Sequence, residues 1–303
     1  MDVDVIPEVA LRRGPVEAII SASGAAVRDL RVGGRPLLRS FQACARPPGA
    51  ANIVLAPWPN RVADATFTFR DDTYQLAITE PDRGHALHGF TWGRIFDFIG
   101  SQTGQGTGQS IDSDAGPSTD SARLHTVLGP EPGWPWHIAL TVQYQLSECG
   151  INASMVAENV SDEPAPCALG VHTYLDALGA PLDECVLSHT IMQRQPLDER
   201  NIPAGSRQPW PAGPLVMDGA WLDDSGYDPQ PRPHIARLTN ARGETVELEA
   251  SISMPWTQLF TSPQRHLAVE PMTAPPNALA TGEGLTVLDP GDRMSVSWAV
   301  RAN

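Results

Sequence analysis

Lysine is absent from the chain, so all 21 basic residues are arginine. That removes every mechanism that needs a lysine amine, among them Schiff-base aldolases, pyridoxal enzymes, the P-loop and the kinase-type ATP site. Positive charge is scarce as well: 35 acidic residues leave a formal net charge of −14 at pH 7, which argues against nucleic acid as a partner. Cysteine is rare, and Cys44, Cys149, Cys167 and Cys185 form no CxxC pair. They are too few to staple a chain of 303 residues and are read as structural thiols. No stretch approaches the roughly 18 uninterrupted apolar residues of a membrane helix, so no membrane association is expected. The first residues carry Asp2, Asp4 and Glu8 in place of a basic leader and do not read as a signal peptide, which makes the cytoplasm the expected compartment.

What is present is material for a large β core. Hydrophobic residues make up 41% and charged residues 18%, the balance of a soluble globular protein. The 26 glycines and 29 prolines are scattered, leaving no span for long helices. Between them, apolar residues recur at every second position. Phe67 and Phe69, then Tyr74, Leu76 and Ile78, flank a polar turn at Asp71-Asp72 and predict a hairpin over Ala65 to Ile78. Ile138, Leu140, Val142, Tyr144 and Leu146, followed across a turn by Ile151, Ala153 and Met155, predict a second. Val246, Leu248 and Ala250 give a shorter strand, and Met294, Val296, Trp298 and Val300 a final one. So many half-buried strands call for an all-β fold, a large antiparallel β-sandwich or barrel. Residues 101–122 (SQTGQGTGQSIDSDAGPSTDSA) are nearly free of large apolar groups and are expected to be a flexible insertion within one domain spanning 1–303.

Five short clusters place an ionisable residue among Pro, Gly or aromatic groups: APWPNRV at 56–62, HALHGF at 85–90, GVHTYL at 170–175, WLDD at 221–224 and AVEPMTAPPNAL at 268–279. Arg61 follows a proline-stiffened loop, and its bland reading is a guanidinium packed on Trp58. His88 and His172, taken singly, read as hydrogen-bonded structural histidines. Glu270 ends the apolar run Leu267 to Val269 and precedes Pro271, a strand end entering a rigid turn, where a buried acid is costly without a purpose.

In their order from Asn52 to Trp298, these clusters, with the PGWPWHIALTVQYQL strand, PLDERNIPAG and QLFTS, resemble the aldose 1-epimerase (galactose mutarotase) family, in its branch with a PWPNR-type loop. The resemblance implies a galactose mutarotase-like supersandwich with an open sugar-binding cleft. Carried over by motif, Arg61, His88 and Asp223 are sugar-binding positions, His172 the general acid and Glu270 the general base. Two places depart from the family pattern. Asp224 adjoins Asp223 and is followed by SGYD, and His172-Thr173-Tyr174 stands where the family commonly has His-Pro-Tyr.

The residue types suit the reaction. Opening an aldose ring takes a proton from the C1 hydroxyl and gives one to the ring oxygen, so an ionised Glu270 and a protonated His172 suffice, with no metal or organic cofactor. The rivals are a two-histidine, one-carboxylate metal site of His88, His172 and Glu270, a glycoside hydrolase using Asp223 and Glu270, and a non-catalytic sugar-binding module. Among mutarotases, a form specialised for an anionic (sulfonated, phosphorylated or uronic) sugar would need cations in the cleft, and Arg94 is one candidate. The sequence leaves the choice of monomer or homodimer open.

Overall fold

The computed structural model describes residues 6–99 and 119–303. Residues 101–118 of the expected insertion lie outside them, while Ser121 and Ala122, expected to belong to it, already form the start of the strand Ser121–Leu128. The fold is all-β, as expected, and among the described residues the α-helix is limited to Ala278–Thr281. Two large antiparallel sheets dominate. A nine-stranded sheet runs in the order Asp97–Phe98, Ser121–Leu128, Ile138–Leu146, Gly150–Asn159, Arg293–Ala302, Thr245–Ala250, His234–Thr239, Val186–His189 and Leu215–Val216. An eight-stranded sheet runs Gln208–Pro209, Gln193–Gln195, Asp223–Tyr227, Trp256–Thr261, Leu267–Met272, Gly170–Val171 and Val54–Leu55, with Thr173–Leu175 also paired to Leu267–Met272.

The period-2 patterns explain how the sheets meet. From the nine-stranded sheet Leu140, Val142, Tyr144, Met155, Val296, Trp298 and Leu248 enter the core, where they join Leu259, Leu267, Val269, Val171 and Leu175 of the other sheet. Because successive side chains alternate, the intervening residues of the eight-stranded sheet must project from its opposite face. That second face is covered by the loops around residues 49–61 and 80–92, and the strand Leu267–Met272 is accordingly buried along its whole length.

Two expected details shift. The first hairpin turns at Arg70-Asp71, one residue early, and its strands, Thr66–Phe69 and Asp72–Gln75, stop before Leu76, so that Ile78 is 53% exposed. Glu270 does not end its strand, which continues through Pro271 to Met272. Proline lacks only the N–H, and its carbonyl and extended backbone remain compatible with pairing.

The second face owes its loop geometry to a close backbone approach. Ala56 forms a parallel bridge with Gly89, and a Cβ at Gly89 would lie 2.1 Å from the Ala56 carbonyl oxygen, with φ at +66°. Glycine is therefore required there on both counts. Gly243, at φ +80° with no atom of the described residues within 4 Å of its Cβ position, provides the control. In urea melts Gly89→Ala is expected to cost about 3 kcal/mol and Gly243→Ala about 1 kcal/mol, the cost of the left-handed backbone alone; equal losses would show that the Ala56 approach is not what demands glycine.

Candidate active site

Strand register assembles one wall of a cleft. Gly170 pairs with Met272 and Thr173 with Val269, so the same register sets His172 opposite Glu270, and on the other side Gln258 pairs with Glu270. Directly opposed residues of antiparallel strands share a face. His172, Glu270 and Gln258 thus form a row, with Asp223, opposite Phe260, and Tyr174 in the next row along. His172 interrupts its own strand: its N–H donates to the Ile53 carbonyl at 3.0 Å and its carbonyl accepts the Asn52 N–H at 2.7 Å. The His172 Nε2 lies 3.2 Å from Glu270 Oε1, with both side chains buried.

The facing wall comes from the two motif loops. Arg61–Val62 pairs with Ala86–Leu87, and Asn60 and His88 both take left-handed backbone, at φ +57° and +62°. There the His88 N–H donates to the Asn60 carbonyl at 2.9 Å, and the Asn60 N–H donates to His88 Nδ1 at 3.2 Å. That second bond makes Nδ1 the acceptor and leaves the proton of the neutral ring on Nε2. The Asn277 N–H donates to the Arg61 carbonyl at 2.6 Å, locking the C-terminal motif onto this loop. Arg61 does not pack on Trp58. Its Nε and Nη2 donate in a fork to Glu80 at 2.8 and 2.9 Å, and Arg83 donates to the same carboxylate at 3.0 Å. Trp58 sits in the core against Phe90 and Trp134, and the indole that lines the cleft is Trp92.

All five sequence-predicted residues, Arg61, His88, His172, Asp223 and Glu270, line one cleft of about 230 Å³. Asp223 is the member of its pair that faces it, accepting the Gln258 Nε2–H at 2.7 Å and the Asn201 Nδ2–H, whereas Asp224 points to the other face and pairs with Arg194. Arg94 stands apart, paired with Glu131 at 2.6 Å. The sequence reading missed Glu80, Arg83, Gln258 and Asn201. A buried arginine needs a counter-ion, which is the one signal for Glu80; Gln258 is visible only through the strand register.

Burial changes the protonation expected from sequence. It raises Glu270 well above the ordinary carboxyl value, with the neighbouring Asp223 carboxylate adding to the shift and Arg61 opposing it. It also lowers His172 to about 4. The anticipated pair of carboxylate and imidazolium is therefore disfavoured by desolvation relative to a neutral pair, since a low-dielectric site penalises both charges. His88 is lowered well below the usual imidazole value by burial and by the adjacent His172 and Arg61. At Glu80 burial acts upward, but the bonds from Arg61 and Arg83 override it and hold the carboxyl below its usual value.

By type and spacing, His88, His172 and Glu270 qualify as metal ligands, with ligand atoms within 4.8 Å of one another. The hydrogen bonding fits that role poorly. With Nδ1 of His88 accepting from Asn60, the Nε2 directed away from it carries a proton and has no free lone pair for a metal.

Nearly the whole chain, residues 7–301, matches the family model described as aldose 1-epimerase, and the protein belongs to that family. It is 25% identical, over 93% of its length and 89% of the relative's, to the uncharacterised protein YihR of Escherichia coli K12. Its fold matches a putative aldose 1-epimerase from Escherichia coli K12 (TM-score 0.80, 18% identity, covering 98% of this chain and 99% of the other). A galactose mutarotase-like protein from Clostridium acetobutylicum is equally close (TM-score 0.80, 20% identity, 98% of each chain). The fold also matches that of galactose 1-epimerase from Lactobacillus acidophilus NCFM (TM-score 0.77, 15% identity, covering all of this chain and 96% of the other).

The opposite orientations of the two aspartates give a direct test. In carboxyl-carbon NMR titrations, Asp223→Asn is expected to move Glu270 down towards the ordinary range and Asp224→Asn to leave it in place; the reverse pattern would contradict the assignment of Asp223 to the cleft.

Proposed function

We propose that the protein is a cofactor-free, single-domain mutarotase that interconverts the α and β anomers of a free aldose by acid/base ring opening. Glu270 is the base and His172 the acid, while Arg61, His88 and Asp223 hold hydroxyls. The observation that carries this reading is the buried, register-held contact of 3.2 Å between His172 and Glu270 at the floor of the cleft. The C1 hydroxyl and the ring oxygen are bonded to the same carbon, so the groups serving them must be close neighbours. Glu270 Oε2 and His172 Nδ1 are buried without a partner among the described residues, which leaves the pair with bonding capacity beyond its mutual contact.

The proton inventory suits the reaction. Ring opening moves one proton from the C1 hydroxyl to Glu270 and one from His172 to the ring oxygen, turning a carboxylate–imidazolium pair into a carboxylic acid and a neutral imidazole. Burial favours that second form, so the cleft stabilises the protonation state that accompanies the open-chain sugar. Closure on the other face of C1 returns both protons. His88, a neutral Nε2–H donor beside them, suits a sugar oxygen acceptor.

A second reading, a mutarotase for an anionic aldose, is favoured by one observation. Two guanidiniums, Arg61 and Arg83, converge on the single carboxylate of Glu80 at the cleft, leaving its wall with a surplus of positive charge.

Magnetisation-exchange NMR across glucose, galactose, xylose, a uronic acid, a hexose 6-phosphate and a 6-sulfonated hexose tests both. We expect wild type to accelerate exchange of at least one sugar and Glu270→Gln to be slower by at least about 10²-fold with its fold intact. Undiminished exchange in the variant would sink the assignment, and a sugar bound without exchange would point to a binding module. With one proton the pair is net neutral in either arrangement, so burial resists both a second protonation and a loss. kcat/KM should therefore stay flat as pH falls through 6.5, the ordinary histidine value, with the acid limb well below it because His172 is pushed down to about 4. An acid limb centred at or above the ordinary histidine value would show that His172 is not held in this way.

A further inference from the structure

Asp223 is set in place by a residue from a different part of the chain. Asn201 lies in the turn that follows the strand Gln193–Gln195, and it donates from Nδ2 to Asp223 Oδ2 while Gln258 donates to Oδ1 at 2.7 Å. The turn is strongly determined. Asp198 Oδ1 accepts the Arg200 N–H and the Ile202 N–H, both at 2.9 Å, and the Asn201 N–H donates to the Asp198 carbonyl at 3.0 Å. Asn201 itself takes φ +63°, a left-handed conformation that asparagine tolerates better than most residues.

The neighbouring residue ties this turn to the opposite wall. Arg200 Nη2 donates to the Arg83 carbonyl at 2.9 Å and Nε to the same carbonyl at 3.2 Å, and Nη2 also pairs with Asp64 at 2.5 Å. The Arg200 carbonyl accepts from the buried His85 at 3.2 Å; because His85 Nδ1 accepts the Asp64 N–H, Nε2 is its donor. Arg200 thus clamps the turn to the loop that carries Glu80 and Arg83, and Asn201, one residue on, reaches Asp223 on the sheet.

From this geometry we infer that Asn201 is a positioning residue: anchored through Arg200, it aims the Asp223 carboxylate at the sugar and so acts on substrate binding without touching the reacting atoms. The inference rests on the sugar-binding reading of the cleft. A carboxylate on a strand has two free side-chain torsions, and holding both oxygens with amide donors in different directions fixes its plane while leaving lone pairs for sugar hydroxyls.

The test uses Asn201→Gly, which keeps the left-handed turn and removes only the amide, and Asn201→Asp, which keeps the shape and sets a second carboxylate against Asp223. For the preferred sugar, Asn201→Gly is expected to raise KM, and the calorimetric Kd, about tenfold, with kcat within about twofold and thermal stability near wild type. Paired with Asp223→Asn it should add nothing, because both changes disable the same group. Asn201→Asp should be impaired at pH 8 and recover towards pH 5 as the two carboxylates come to share a proton, a pH dependence that a merely structural role would not produce. Loss in the double variant equal to the product of the single losses, or an Asn201→Gly protein with wild-type KM and Kd, would overturn the inference. If wild type binds a sugar without exchanging it, the mutarotase reading fails while Asn201 is still judged on Kd. If it binds none of the panel, both fail.

Discussion

The site depends on the pairing of one strand, Leu267–Met272, with its neighbours. A strand buried on both faces admits only side chains that its surroundings can satisfy, and this one alternates Leu267 and Val269 into the shared core with Ala268, Glu270 and Met272 on the cleft side. Slipping the register by one residue would drive the Glu270 carboxyl into the apolar core, a cost of several kcal/mol that specifies the pairing. The same pairing that satisfies the core therefore sets His172 and Gln258 on either side of Glu270.

Chemistry and stability pull against each other at this point. A carboxyl and an imidazole in contact inside a β-sheet are held towards their neutral forms by desolvation, and the charged forms from which the proposed ring opening starts are the less favoured ones. The surrounding structure leaves that tension in place. The facing wall supplies a neutral histidine with a fixed tautomer and a guanidinium already engaged by Glu80, so the polar groups of the cleft are oriented by protein partners.

Alternation was the most legible feature of the sequence. The hairpin of Ile138–Leu146 and Gly150–Asn159 and the closing strand Arg293–Ala302 follow its period-2 apolar residues directly, because long strands with one buried face impose that pattern. The short strands of the other sheet, such as Gln193–Gln195 and Asp223–Tyr227, are largely polar, with Asp223 facing the cleft, and interrupt the pattern, so alternation did not reveal them. Pro271 misled for a related reason, as its local meaning is a strand end while its sheet context tolerates it. The five candidate residues were legible through their motifs. Glu80, Gln258 and Asn201 were not, since each acts through a partner distant in sequence.

By itself the sequence determined the all-β class, the absence of lysine chemistry and five of the residues that line the cleft, because composition, period and motif are local properties of the chain. Tertiary structure alone decided which of Asp223 and Asp224 faces the cleft, that Arg61 is held by Glu80 and not by Trp58, which nitrogen of His88 carries the proton, and that Glu270 and His172 are pressed towards neutrality. Those outcomes depend on strand register, on partners brought together from remote segments and on burial, and none of these is a property of any short stretch of residues.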